Sequence, residues 1–171
     1  MLLLLRPFTT GDWVETGGVS GTIREVGLFT TIIDTFDNVY VSIPNSSIWN
    51  STITNHSHYE TRRIDVDIGI HYDTNLELAS EVLLKLAEDK RVINKPKEPQ
   101  FLVMKYDDSS IVVRLRLYSH TKDWYALYTD LMKKIKPALD EAGIEIPYPH
   151  RVITSKNICL LYTSPSPRDR G

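Results

Sequence analysis

The spacing of apolar and polar positions changes twice along the chain. From Pro7 to about Ser57, short β-rich runs are interrupted by turn glycines at Gly11, Gly17, Gly18, Gly21 and Gly27. "FTTIIDT" leads through the turn pair Asp37-Asn38 into "VYVSI", which alternates with period two. Five short strands joined by tight turns predict a small barrel or curled sheet. From Arg62 the elements lengthen. "RIDVDIGIHY" puts Ile64, Val66, Ile68 and Ile70 on one face and Asp65, Asp67 and His71 on the other. "TNLELASEVLLKLAEDK" carries Leu76, Ala79, Leu83 and Leu86 on one helical stripe, with Thr74 or Asn75 as N-cap. "NKPKEP" reads as a loop. "FLVMKY" and "SIVVRLRLYS" read as strands joined at Asp107-Asp108, with Arg114 and Arg116 facing outward. The final helix aligns Trp124, Leu127, Leu131, Ile135, Ala138 and Ala142, kinks or breaks at Pro137, and stops at Gly143. The order β-α-β-β-α followed by "IEIPYP" predicts a ferredoxin-like split βαβ sandwich, with helices on one face of an antiparallel sheet. The fold class is therefore mixed: a small all-β unit, then an α+β unit.

Near the end of the all-β unit lies "IPNSSIWNSTITN", Ile43 to Asn55. It is dense in amides and hydroxyls, is anchored by Ile48, Trp49 and Ile53, and holds no acid, base or thiol. Such a segment suits hydrogen bonding to backbone edges, not bond chemistry.

Composition narrows the function. The chain has 171 residues and a net charge of −2, and the all-β unit sets Arg6 and Arg24 against Asp12, Glu15, Glu25, Asp34 and Asp37, a balance of −3. A general polyanion binder would show a basic excess. A lone cysteine, Cys159, excludes an internal disulfide framework. His56, His58, Asp65, Asp67, His71 and Asp73 gather near the junction; His56 and His58 are read as sharing a strand face, and the set as a solvated polar face, not a metal site. "GGVSG" lacks the lysine and helix of a phosphate loop and reads as a β turn. No serine sits in a nucleophile elbow. Arg62-Arg63 reads as a charged hinge between units or part of a subunit contact, and Trp13, Trp49 and Trp124 as packing residues. No catalytic residue, metal or cofactor is expected. "MLLLL", closed by Arg6-Pro7, is too short to span a bilayer, which takes about 20 apolar residues. The stretch 153–171, rich in Ser, Pro and Arg, is expected to be disordered and foreign to the native protein, like translated adaptor sequence.

Several motifs together resemble the small-conductance mechanosensitive channel family, MscS: Arg6-Pro7-Phe8, Gly11-Asp12, the Gly17-Gly18-Val19-Ser20-Gly21-Thr22 turn, and Pro44-Asn45 with Asn55. "RRIDVDIGIHYDTNLE" and "AGIEIPYPH" agree with the start and end of that family's α/β domain. The resemblance implies a remnant of the pore-lining transmembrane helix at 1–5, an Sm-like β domain at 6–58 and a ferredoxin-like domain at 59–152. It implies a homo-heptamer whose cytoplasmic vestibule hangs below a tension-gated pore in the inner membrane. On osmotic downshock such a channel releases ions and small osmolytes through side portals. The partners are then other copies of the chain, the membrane through helices outside it, and permeating ions, but no nucleic acid. Mixed charge at the junction marks His58, Glu60, Arg62 and Asp65 as a portal rim. The alternative is an Sm-like ring that binds RNA, against which stand the acidic β unit and the lack of clustered stacking aromatics.

Overall fold

The computed structural model describes residues 5–147. Its first half is a five-stranded antiparallel sheet built from β1 (Trp13–Thr16), β2 (Val19–Val26), β3 (Thr30–Thr35), β4 (Tyr40–Pro44) and β5 (Ile53–Asn55). The spatial order is β4-β3-β2-β1-β5, so β4 and β5 form the two edges and the sheet is curled but open. Gly17 and Gly18, both with positive φ (57° and 78°), make the two-residue turn joining β1 to β2, a backbone shape that residues with a Cβ resist. A bulge between Ile23 and Glu25 bends β2 against β3. Phe8, Val14, Ile23, Ile33, Ile43 and Ile48 form the core beneath the sheet.

Gly21 departs from the expectation of a turn. It lies inside β2, paired with Val14 on one side and Thr35 on the other. A Cβ there would press on the Asp34 carbonyl oxygen and sit 2.6 Å from Ile33 Cγ2, so close backbone approach is what requires glycine.

The second half pairs β6 (Thr61–Ile70) with β9 (Ile111–His120) over their full lengths. On the far side β9 carries β8 (Gln100–Tyr106) and a two-residue strand, β7 (Val92–Ile93). β7 lies just before the stretch read as a loop and was not legible in the sequence: two residues carry no period. Between β4 and β5 sits a one-turn helix, α1 (Asn45–Trp49); α2 (Leu76–Leu86) and α3 (Trp124–Glu141) pack on the sheet, the latter entered through a 3-10 turn at Thr121–Asp123. Asn75 is the N-cap of α2, its side chain accepting from the Glu77 and Leu78 amides. Helix α3 continues through Pro137 without a break. Its buried stripe runs Leu127, Leu131, Ile135, Leu139; Leu139 takes the place expected for Ala138, which is only partly covered. "IEIP" adds no strand, and the rest of that motif and the 153–171 tail lie outside the described residues.

Helix α3 is also tied to the loop after α2 by charge. Arg91 bridges Asp89 (2.8 Å) and Asp130 (2.9 Å), with Lys134 3.7 Å from Asp89. The Arg91 hydrogen bond holds the Asp89 carboxyl well below the usual carboxylate range.

Two outcomes follow from the packing. Gly21→Ala should destabilise the fold by about 1–3 kcal/mol, because strand backbone must move to admit the methyl group; a lowered urea midpoint at unchanged slope checks it. Asp89 has a folded-state pKa below its unfolded value near ~3.9, so its contribution is complete above that value and fades as pH falls through the folded one. Asp89→Asn should therefore flatten the acid limb of a stability-versus-pH curve measured by urea unfolding, and leave its shape above about pH 5 unchanged.

Candidate functional site

The polar segment 43–55 works as a set of internal ties. At its start, Asn45 Nδ2 donates to the Gly27 and Leu28 carbonyls (2.9 and 3.0 Å), and its Oδ1 accepts from the buried Thr31 hydroxyl (2.7 Å). Its backbone amide donates to the Phe29 carbonyl, so one residue grips the β2–β3 turn from four points. In the middle, Ser51 bonds the buried Thr16 hydroxyl and the Ile48 carbonyl. At the end, Asn55 Nδ2 donates to Pro7 O (3.3 Å) and Asp12 Oδ2 (2.9 Å), and its Oδ1 accepts from the Ser57 amide. Asp12 Oδ2 also accepts from the Thr9 amide, while Gly11, at φ 96°, donates to Ile23 O. These bonds join Pro7, Gly11-Asp12 and Asn55 at one corner; Arg6 precedes it at φ 42° and Phe8 drops into the core.

Asn45 and Asn55 spend their amides on backbone carbonyls of their own chain. Of the three apolar anchors, Ile48 is fully buried and Ile53 packs on the core, but Trp49 remains 44% exposed. α1 turns Trp49 away from the core that Ile48 fills. Sequence patterning also missed the tip that Asn45 grips: Leu28 and Phe29 are 72% and 78% exposed, a pair of large apolar side chains held out into solvent. Strand propensity hides this, because Phe29 belongs to an apolar run read as strand.

The junction follows. β5 ends at Asn55, so His56 and His58 lie in an irregular link and do not share a strand face. His56 Nε2 is 3.9 Å from Glu15, and His58 packs edge-on against Tyr59 at 5.0 Å. The link is tied to the 3-10 turn before α3 by the Thr121 amide and hydroxyl donating to Glu60 O (2.9 Å) and Tyr59 O (2.6 Å). The four candidate rim residues do not converge. His58 and Glu60 are exposed on the link. Arg62 lies with its guanidinium carbon 3.9 Å from the Trp124 ring centroid, while Trp124 Nε1 donates to Arg63 O. Asp65 stands on the outer sheet face among Arg63 (3.1 Å), Arg114 (3.6 Å) and Arg116 (2.9 Å). Asp67, beside it, takes a bidentate bond from Arg114, which lowers its pKa. This face is a compensated ladder, not the freely solvated one expected. Among the described residues no three His, Cys, Asp or Glu side chains are grouped to hold a metal ion, and no helix is long and apolar enough to cross a membrane.

Comparison with known proteins gives a consistent picture. The family model described as "Mechanosensitive ion channel, beta-domain" matches residues 1–58, and that described as "Mechanosensitive ion channel MscS, C-terminal" matches 64–146. A small-conductance mechanosensitive channel of Edwardsiella ictaluri is 37% identical over 150 residues, 87% of this chain and 52% of the relative. An uncharacterized MscS family protein of Archaeoglobus fulgidus is 36% identical over 156 residues, 91% of this chain and 55% of the relative. The chain thus spans about half the length of the curated relatives it matches. The crystal structure of Helicobacter pylori MscS in its closed state superposes with a TM-score of 0.83 at 29% identity, over 91% of this chain and 62% of that one. Arabidopsis thaliana MSL1, at 21% identity and a TM-score of 0.71, shares the fold.

Asn45→Ala removes the acceptor for a buried hydroxyl and the donor for two carbonyls. It should lower stability by about 1–3 kcal/mol, and hydrogen exchange should speed up at the β2–β3 turn before the rest of the sheet. Unchanged protection at Leu28 and Phe29 would show that the tie does not hold the turn.

Proposed function

We propose that this chain, which belongs to the MscS family of mechanosensitive ion channels, forms the wall of an aqueous chamber on the cytoplasmic side of a tension-gated pore in the inner membrane. Copies of the chain, seven on this reading, close into a ring. Helices outside the described residues span the bilayer. Ions and small osmolytes leave through gaps between subunits on osmotic downshock. The chain itself makes and breaks no bonds. Its two units, 6–58 and 59–152, are the upper and lower parts of the wall.

The observation that carries this reading is the succession of both family models along one chain, in the order of its two sheets. The surface supports self-association. Leu28, Phe29, Val39, Tyr40 and Trp49 are all large, apolar and more than 40% exposed on the β unit, and such concentrations mark contact surfaces. In a ring these side chains meet neighbouring copies while the amide ties keep the turns at fixed positions.

The portal rim, on this reading, takes its field from His58 and Glu60, with Arg62 and Asp65 bracing it from behind. A chamber opening biases permeation through charge at its edge. The test is single-channel recording under stepped tension, in membranes free of other tension-gated channels, on the longer protein that contains this chain. Tension-activated openings are expected, and their absence with the protein present in the membrane refutes the channel reading. Glu60→Lys should shift permeation toward anions with little change in stability. Asp65→Lys should instead lower the yield of folded protein, since it places a cation among Arg63, Arg114 and Arg116. Unaltered ion preference in Glu60→Lys would remove the rim assignment and leave the channel reading standing.

A further inference from the structure

Between the β unit and α3 the surface opens into a cleft of about 470 Å³, within the range of small-molecule sites. Trp13 and Phe36 line it from the β unit, Trp124 and Tyr125 from α3, and His56, Ser57, Thr121 and Arg62 complete the wall. The rings are already in contact with one another: Trp13 meets Phe36 edge-to-face at 6.5 Å, and Phe36 meets Tyr125 at 5.9 Å. Phe36 and Tyr125 nonetheless stay 72% and 58% exposed, so the aromatic walls are open to an incoming molecule.

Arg62 sets the charge of the cleft. Arg24, Arg63, Arg91, Arg114 and Arg116 each face an aspartate within 3.1 Å. Arg62 has no carboxylate partner among the described residues, and its half-buried position lowers its pKa through desolvation. Trp124 covers one face of its guanidinium. Stacking occupies that face and leaves the in-plane N–H groups free, which is the geometry that receives a carboxylate through two parallel bonds. Charge complementarity therefore asks for an anion, and the flat aromatic walls ask for a planar apolar body.

We infer that this cleft is a binding site for a small aromatic carboxylate, its ring lying against the contiguous surface of Trp13, Phe36 and Tyr125 and its carboxylate on the edge of the Arg62 guanidinium. The occupant touches the β unit, the link and α3 together, and so clamps the two halves of the chain. Neither ion permeation nor tension gating enters the argument, so this site stands or falls apart from the channel reading.

Calorimetric titration of the full chain with naphthalene-2-carboxylate tests it, with naphthalene-2-carboxamide and decanoate as comparisons. The acid should bind about tenfold or more tighter than the amide, and also tighter than decanoate. Arg62→Met should abolish the acid's advantage while leaving the thermal midpoint and the weak binding of the amide in place. If Arg62→Met loses its folded spectrum, Arg62→Lys decides: it keeps the charge but not the two-pronged edge, so about tenfold weaker binding supports the site and unchanged affinity overturns it. Equal binding of acid and amide removes the role of Arg62. Decanoate binding as tightly as the naphthoate reassigns the cleft to acyl chains. Failure of the assembled ring to bind the probe, with Phe36→Ser breaking the ring, reassigns it to a neighbouring copy. Each of these three results overturns the proposal.

Discussion

The pairing of β6 with β9 is the constraint on which the second half of the molecule rests. Ten residues of each strand are in register, so that Ile64 faces Leu117, Val66 faces Leu115, Ile68 faces Val113 and Ile70 faces Ile111. The same register sets Asp65 opposite Arg116 and Asp67 opposite Arg114. Side chains alternate with period two, so a slip by one residue would turn both carboxylates into the core and the isoleucines into water. Ion pairs at a sheet surface add little net stability. Their work here is to make the wrong register worse, because the arginines and aspartates match only when the apolar face is also correct. The helices then have a fixed floor: Leu83 of α2 and Leu127, Leu131 and Leu139 of α3 are fully buried against it.

The first half is held by a different device. Its sheet is short and open-edged, and its buried cluster is small. Amide side chains make up the difference. Asn45 fixes the far turn, Ser51 fastens α1 to β1, and Asn55 joins the chain's entry at Pro7 and Asp12 to its exit at Ser57. Each bond replaces water at a group that would otherwise be left unpaired as the segment folds over the sheet. This answers why thirteen residues carry so many amides and hydroxyls and no reactive group: they are fasteners. Their most visible effect is at a distance, in the presentation of Leu28 and Phe29.

Periodicity made the second half legible. Alternation along β6 and β9, the α2 stripe and the Asn75 cap are all strong local signals, and each corresponds to an element seen. What escaped lacks such a signal. β7 is too short for a period. The Leu139 stripe was misjudged by one position because Ala138 and Leu139 both lie near the same helical face, and volume decides which fills the core. Trp49 and Phe29 look like core residues by type alone; only the fold shows that α1 and the β2–β3 turn point them outward. The Asp65 ladder was hidden for another reason. Its partner Arg116 is 51 residues away, and a strand's polar face reads as solvated until the strand opposite is known.

Charge compensation finally separates the two sides of the junction. On the sheet side Arg63, Arg114 and Arg116 share Asp65 and Asp67, so a carboxylate such as Asp65 presents little net field beyond its own neighbours. On the cleft side the order is reversed: Arg62 is matched by a π-face, which attracts a cation but does not neutralise it. Only a few residues of one strand separate these environments, and alternation is the cause, since Asp65 and Arg62 project from opposite faces of β6. A single strand thereby gives the chain an ion-paired outer sheet face and places the Arg62 charge in the cleft between its halves.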